Sequence, residues 1–164
     1  MKTPKHILVP VDLSTHSLAA LQYAESIANL FQASISIVHV VDRGTKHEQP
    51  EEVFEHESRA RHAITNLLID HHLVCCSMPI LIRHGSSAAE ILAAAKEVHA
   101  DLIVMSTHGR TGIRHALLGS VAEKVVRMSS VPVLTVKPPE FSELIELSEG
   151  DVAASLHIAR WDDA

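Results

Sequence analysis

Five short apolar runs punctuate the chain, separated by longer stretches in which apolar residues recur every three to four positions. The runs are KHILVPVD (Lys5 to Asp12), SISIVHVVD (Ser34 to Asp42), MPILIRHG (Met78 to Gly85), DLIVMS (Asp101 to Ser106) and VPVLTVK (Val131 to Lys137). They are short, rich in β-branched residues and not strictly alternating, so they read as strands buried on both faces. The first intervening stretch, STHSLAALQYAESIANLFQ, carries an apolar stripe at Leu18, Leu21, Ala24, Ala28 and Phe31, with Ser14 or Thr15 as N-cap. The second, Glu51 to Leu73, sets Val53, Ala60, Ile64, Leu67 and Leu68 against a charged face. SSAAEILAAAKEVHA and GSVAEKVVRMSS supply two more helices. Alternation of this kind predicts an α/β fold: an open five-stranded parallel sheet with helices on both faces and right-handed crossovers, Rossmann-like in plan.

In such folds ligands bind beyond the carboxyl ends of the strands, near the point where the strand order reverses. Pro10, Val11 and Asp12 end the first strand, Val40 and Val41 lie near the end of the second, and Ser106 to Gly109 follow the fourth. Gly109 and, after nine residues, Gly119-Ser120 frame a basic loop ahead of the last helix. Glycine lets backbone approach a ligand, and the N–H groups and dipole of a helix start favour a phosphate. Ser120 adds a hydroxyl donor. Two plainer readings stand beside these: glycines that only permit tight turns with Ser120 as an N-cap, and Asp12 as a helix-capping aspartate. Neither GxxxxGK[ST] nor GxGxxG after strand one is present, which disfavours a P-loop NTPase and a standard Rossmann dehydrogenase.

Composition narrows the function classes. A chain of 164 residues, 46% hydrophobic, suits one aliphatic core. We divide it into a domain over 1–137 and an acidic tail over 138–164. No run approaches the roughly 18 apolar residues of a membrane span, and MKTPKHILVPVD lacks a signal-peptide core, so a cytoplasmic protein without membrane insertion is expected. Cys75 and Cys76 are adjacent, poorly placed for a structural bridge. Residues 1–139 carry 13 basic and 13 acidic side chains, whereas 140–164 carry 7 acidic ones and Arg160 alone, so the net charge of −6 belongs to the tail and no basic face calls for nucleic acid. Thirteen histidines raise the question of a metal, but no two are separated by two, three or four positions, as a local ligand pair requires. No metal ligand is assigned.

The chain from residue 3 to 137 resembles the universal stress protein family. The likeness is carried by HILVPVDLS, by IVHVVD and by STHGRTGIRHALLGSVAEKVVRMSSVPVLTV. The family's nucleotide motif is glycine, two residues, glycine, nine residues, then glycine with serine or threonine. Gly109, Gly119 and Ser120 match it, and Ser106 stands where the first glycine belongs. The resemblance implies bound ATP, with Mg2+: adenine near Asp12 and Val40, ribose near Pro10 and residues 106–109, phosphates on Gly109, Gly119, Ser120 and Val121. His108, Arg110 and Arg114 stand within the same loop, where Arg pairs well with phosphate, or else face solvent. The likeness also implies a homodimer through the last strand, Val131 to Lys137, and a partner protein of unknown identity.

Three functions follow in order of support. The first is an ATP-binding regulatory protein of the stress response, without a catalyst of its own, although a nucleotide beside Ser120 leaves slow hydrolysis or autophosphorylation open. The second is a non-nucleotide interaction protein of the same fold, acting through its edge strand and tail, a reading that Ser106 favours. The third is an enzyme of the related adenine-nucleotide α/β group, disfavoured by the missing HxGH signature. Gly119→Val is expected to block phosphate approach and leave the fold intact.

Overall fold

A computed structural model of the chain describes residues 3–41, 50–73, 78–108 and 118–137. Cys75, Cys76, Gly109, Arg110, Arg114 and the 138–164 tail lie outside the described residues. The elements alternate throughout: β1 (His6–Pro10), α1 (Thr15–Phe31), β2 (Ser34–Val41), α2 (Pro50–Asp70), β3 (Ile80–His84), α3 (Ser87–Glu97), β4 (Leu102–Ser106), α4 (Ser120–Met128) and β5 (Val133–Val136). All pairings are parallel and the order is β3-β2-β1-β4-β5. The predicted five-stranded open sheet is therefore the fold.

Burial explains why the runs form strands. Ile7, Leu8 and Val9 are all fully buried although they are consecutive, which a strand achieves only when both faces are covered. On one face Ile7, Val9, Ile37 and Val104 pack against Leu21, Ala24 and Ala28 of α1 and Ala60 and Ile64 of α2. On the other, Leu8, Val38, Ile103 and Met105 pack against Ile91 and Ala94 of α3 and Ala122 and Val125 of α4. Phe31 departs from its predicted place in the α1 stripe and is 42% exposed. Gln32 takes a left-handed φ of 54°, and Ala33 N–H closes the helix on Ala28 O, so the chain turns away one residue after Phe31. The strands are one or two residues shorter than their apolar runs at one or both ends, α3 starts one residue later and stops three earlier than its predicted stretch, and β5 begins after Pro132, which has no N–H to give.

At the amino ends of the strands, His6 Nε2 and Ser36 Oγ are 2.8 Å apart, and Asp101 Oδ2 accepts the backbone N–H groups of Lys5 and His6. These are the ingredients of a nucleophilic trio, but Ser36 is 1% exposed and the carboxylate accepts from the backbone of Lys5 and His6. The group is a clip between β1, β2 and the start of β4. Burial lowers the His6 pKa from its ordinary 6.5, and attraction to Asp101 opposes it more weakly. The unfolded chain therefore binds this proton more readily than the folded one. Stability from this group is complete above pH 6.5 and is lost as pH falls through the lowered folded value. Urea midpoints measured from pH 7.5 to 5 should fall less steeply for His6→Asn than for the unmodified chain; equal slopes refute the assignment.

Candidate functional site

The strand order reverses between β1 and β4: the chain steps outward from β1 through β2 to β3, then returns to β4 and continues to β5. Paired residues of β1 and β4 end at Leu8 and Ile103, two residues before Pro10. Proline at that point gives up no bond to β4 and leaves the two strand ends to part. Their carboxyl ends, with the start of α4, bound the crevice that the reversal creates.

On the β1 side the turn into α1 is tightly built. Asp12 Oδ1 accepts the Ser14 N–H at 3.1 Å and the Ser14 hydroxyl at 2.5 Å, and Ser14 Oγ in turn accepts the Ser17 N–H at 3.2 Å. Ser14 is thus the N-cap and Asp12 anchors it. Between them Leu13 has φ of 64°, a left-handed conformation costing roughly 1–2 kcal/mol for a residue with a Cβ. Behind the turn, the buried His39 of β2 has Nδ1 2.6 Å from Val11 O, and Val11 N–H bonds Val38 O. A carbonyl only accepts, so Nδ1 carries the hydrogen. Neither His39 nor Leu13 was predicted. A histidine inside an apolar run was the available signal for the first, and leucine gives none for a left-handed turn. Val40 is half-buried on the sheet face covered by α3 and α4, where Val121 also packs.

On the β4 side Ser106, Thr107 and His108 are all buried. Ser106 Oγ accepts the His108 N–H at 3.2 Å, and the Thr107 hydroxyl lies 2.9 Å from His108 Nδ1. The His108 ring meets that of His16 on α1 edge-on, with centroids 6.4 Å apart. Ser106 is not among the described residues with positive φ, so its backbone does not require the glycine of the family pattern. Across the crevice, Gly119 is the N-cap of α4 and Ser120 its first residue, and among the described residues no side chain caps the helix. Gly119 N–H donates to Thr107 O at 2.7 Å, and a Cβ on Gly119 would stand 3.0 Å from that same oxygen. Two expectations are corrected by this. Ser120 is not the N-cap, and a Cβ at Gly119 meets backbone, so Gly119→Val is now expected to disturb the fold as well as the ligand.

Pro10, Val11, Asp12, Val40, Ser106, His108, Gly119, Ser120 and Val121 therefore lie on elements whose ends meet at one edge of the sheet; Gly109 and Arg110 lie outside the described residues. A groove of about 480 Å³ lies at the opposite edge, between the carboxyl ends of α3 and α4, lined by Leu92, Lys96, His99, Met128 and Val131 among others. It shares no residue with the predicted site, and the strand reversal and uncapped helix are the better guide to ligand chemistry. Among the described residues no group of three or more His, Cys, Asp or Glu is placed to hold a metal ion, and no helix is long and apolar enough to cross a membrane.

The topology and the crevice define the class: an α/β protein of the adenine-nucleotide α-hydrolase-like fold. The sequence profile of the universal stress protein family matches residues 3–137, and the chain belongs to that family. Universal stress protein MJ0531 of Methanocaldococcus jannaschii is 35% identical over 144 residues, covering 83% of this chain and 84% of that protein. The solved structure of MJ0577, from the same organism, superposes with a TM-score of 0.68 at 31% identity, over 84% of this chain and 98% of that one. A universal stress protein crystallised in complex with cAMP superposes with a TM-score of 0.63 at 25% identity, over 82% of this chain and 98% of that one.

Proposed function

We propose that the chain is an ATP-binding regulatory protein of the cytoplasmic stress response, acting as a homodimer through nucleotide-dependent contacts with a partner, and not as an enzyme. The observation that carries this reading is the pairing, at the strand reversal, of an uncapped α4 N-terminus with the anchored Asp12 turn. A helix N-terminus without a cap offers N–H donors and a positive dipole end to a phosphate. Asp12 and Val40 supply an acceptor and an apolar wall suited to adenine, while Pro10 and Ser106 flank the position of the ribose. The cAMP complex of a relative supports a phosphorylated adenine nucleotide as ligand. Mg2+ would then come with the triphosphate, held by its oxygens. The half-buried edge strand β5 is the surface for a second copy, because pairing satisfies its outward N–H and C=O groups.

Calorimetric titration of the nucleotide-stripped protein tests the reading. Mg-ATP is expected to bind saturably at about one per chain, with AMP weaker and GTP weaker still. No heat of binding from a demonstrably folded sample would remove ATP as the ligand. Analytical ultracentrifugation of the same sample should give a dimer; a monomer would remove β5 as the interface.

A further inference from the structure

The groove of about 480 Å³ between the carboxyl ends of α3 and α4 plays no part in the nucleotide reading. Its size falls within the roughly 300–1,000 Å³ of ordinary ligand pockets. The apolar part of its wall is open to an occupant: Leu92 and Val131 are half-buried and Met128 is 64% exposed. Among the described residues that line it none is acidic, whereas Lys96 and His99 are both exposed there. Helix carboxyl ends alone repel carboxylates, but Lys96 stands in the last turn of α3 and Arg127 in the last turn of α4, where they offset the two dipoles. An apolar floor with a cationic rim fits an apolar segment flanked by carboxylates.

The chain carries such a segment. Glu140, Glu143, Glu146 and Glu149 recur at every third position, with Phe141, Leu144, Ile145 and Leu147 between them, and Arg160 is the one Lys or Arg from residue 140 to the end. Reach selects the part that fits. The tail leaves the sheet after β5, and β5 follows closely on Val131 in the groove wall. From 131 to 137 an extended chain covers about 20 Å, at roughly 3.3 Å per residue, and the six residues 138–143 cover the same distance back. Phe141 falls short of the groove, and Leu144 is the first apolar residue to come level with it. We propose that Leu144, Ile145 and Leu147 dock in the α3–α4 groove of their own chain, with Glu143 and Glu146 paired to Lys96 and His99. The docking is independent of the nucleotide reading, since the groove shares no residue with that site.

NMR of the ¹³C,¹⁵N-labelled full chain tests the proposal. NOEs are expected from the methyl groups of Leu144 and Ile145 to Met128 and Val131. They should vanish in Leu144→Asp/Ile145→Asp, with amide shifts confined to the groove at Lys96, His99, Met128 and Val131, while unchanged shifts at Ile7 and Val38 show that the fold is intact. Groove amides identical in the double variant and the unmodified chain overturn the inference. Lys96→Glu, at an exposed position, should weaken the same NOEs, and an undiminished set overturns the charge pairing. Met128 should be oxidised by dilute peroxide several-fold faster in the double variant, because an empty groove leaves its sulfur open; equal rates overturn the docking. A mixture of labelled and unlabelled chains decides whose tail is seated. NOEs that cross from labelled to unlabelled chains put it on a second copy and overturn docking within one chain.

Discussion

Gly119→Val is expected to lose nucleotide binding and part of its stability together. A Cβ at this position stands 3.0 Å from the Thr107 carbonyl oxygen, which is backbone held from the other side by the Thr107 amide on β5. It cannot swing aside as a side-chain tip would. Valine adds two methyl groups to that contact, so either the Gly119–Thr107 bond lengthens or the start of α4 moves off the end of β4. Overpacking of this kind costs about 1–3 kcal/mol. The same displacement carries Ser120, Val121 and Ala122 away from the crevice, so ATP affinity should fall by about tenfold or more, given how steeply a hydrogen bond weakens with misalignment. Gly119→Ala should show the same pair of losses at smaller size. Urea midpoint and calorimetry on each variant provide the check. A full loss of affinity at an unchanged midpoint would mean that valine obstructs the ligand alone, as the sequence by itself suggested.

That difference shows where the sequence was legible. Strands buried on both faces must be almost wholly apolar, and helices laid over them must carry a stripe, so the five runs and four stripes yielded the order of elements and the sheet class. The ends of the first and fourth strands were legible for the same reason, which put Asp12 and Ser106 at one edge. Contacts that depend on backbone position were not. Nothing in the residues around Gly119 says that its missing Cβ serves a carbonyl twelve residues earlier. Three helices close on left-handed residues that are not glycine, with φ of 54° at Gln32, 55° at His72 and 52° at His99. In each the next amide reaches back five residues, Ala33 to Ala28, Leu73 to Leu68 and Ala100 to Ala95, and brings an apolar side chain onto the core, buried at Leu73 and Ala100 and partly buried at Ala33. Packing of that following residue outweighs the local preference for glycine, and two of the thirteen histidines find their places this way. Among the described residues, His16 on α1 meets His108 after β4, and His39 on β2 reaches Val11 O, a convergence that spacing along the chain does not reveal.

Asp12 carries the second large effect, because the two readings the sequence left open make separable demands on its carboxylate. The capping role is visible: Oδ1 receives both the N–H and the hydroxyl of Ser14, and Ser14 caps α1 through Ser17. The adenine role asks the same carboxylate to accept from a ligand amino group. Asp12→Ala removes both, and should cost about 1–2 kcal/mol of stability through the lost anchor and cap, with ATP affinity down by about tenfold or more where a buried donor is left unpaired. Asp12→Asn keeps one oxygen for Ser14 and replaces the other by an amide NH₂. A cap tolerates that exchange, whereas an adenine amino group would then face a donor. The expected result is a nearly unchanged urea midpoint with affinity as poor as that of the alanine variant. Ser14→Ala provides the converse, since it removes the cap, at about 1 kcal/mol, without altering the carboxylate. Should Asp12→Asn bind Mg-ATP like the unmodified chain, Asp12 is a capping residue only, and base recognition would pass to the backbone at Val40, near the end of β2.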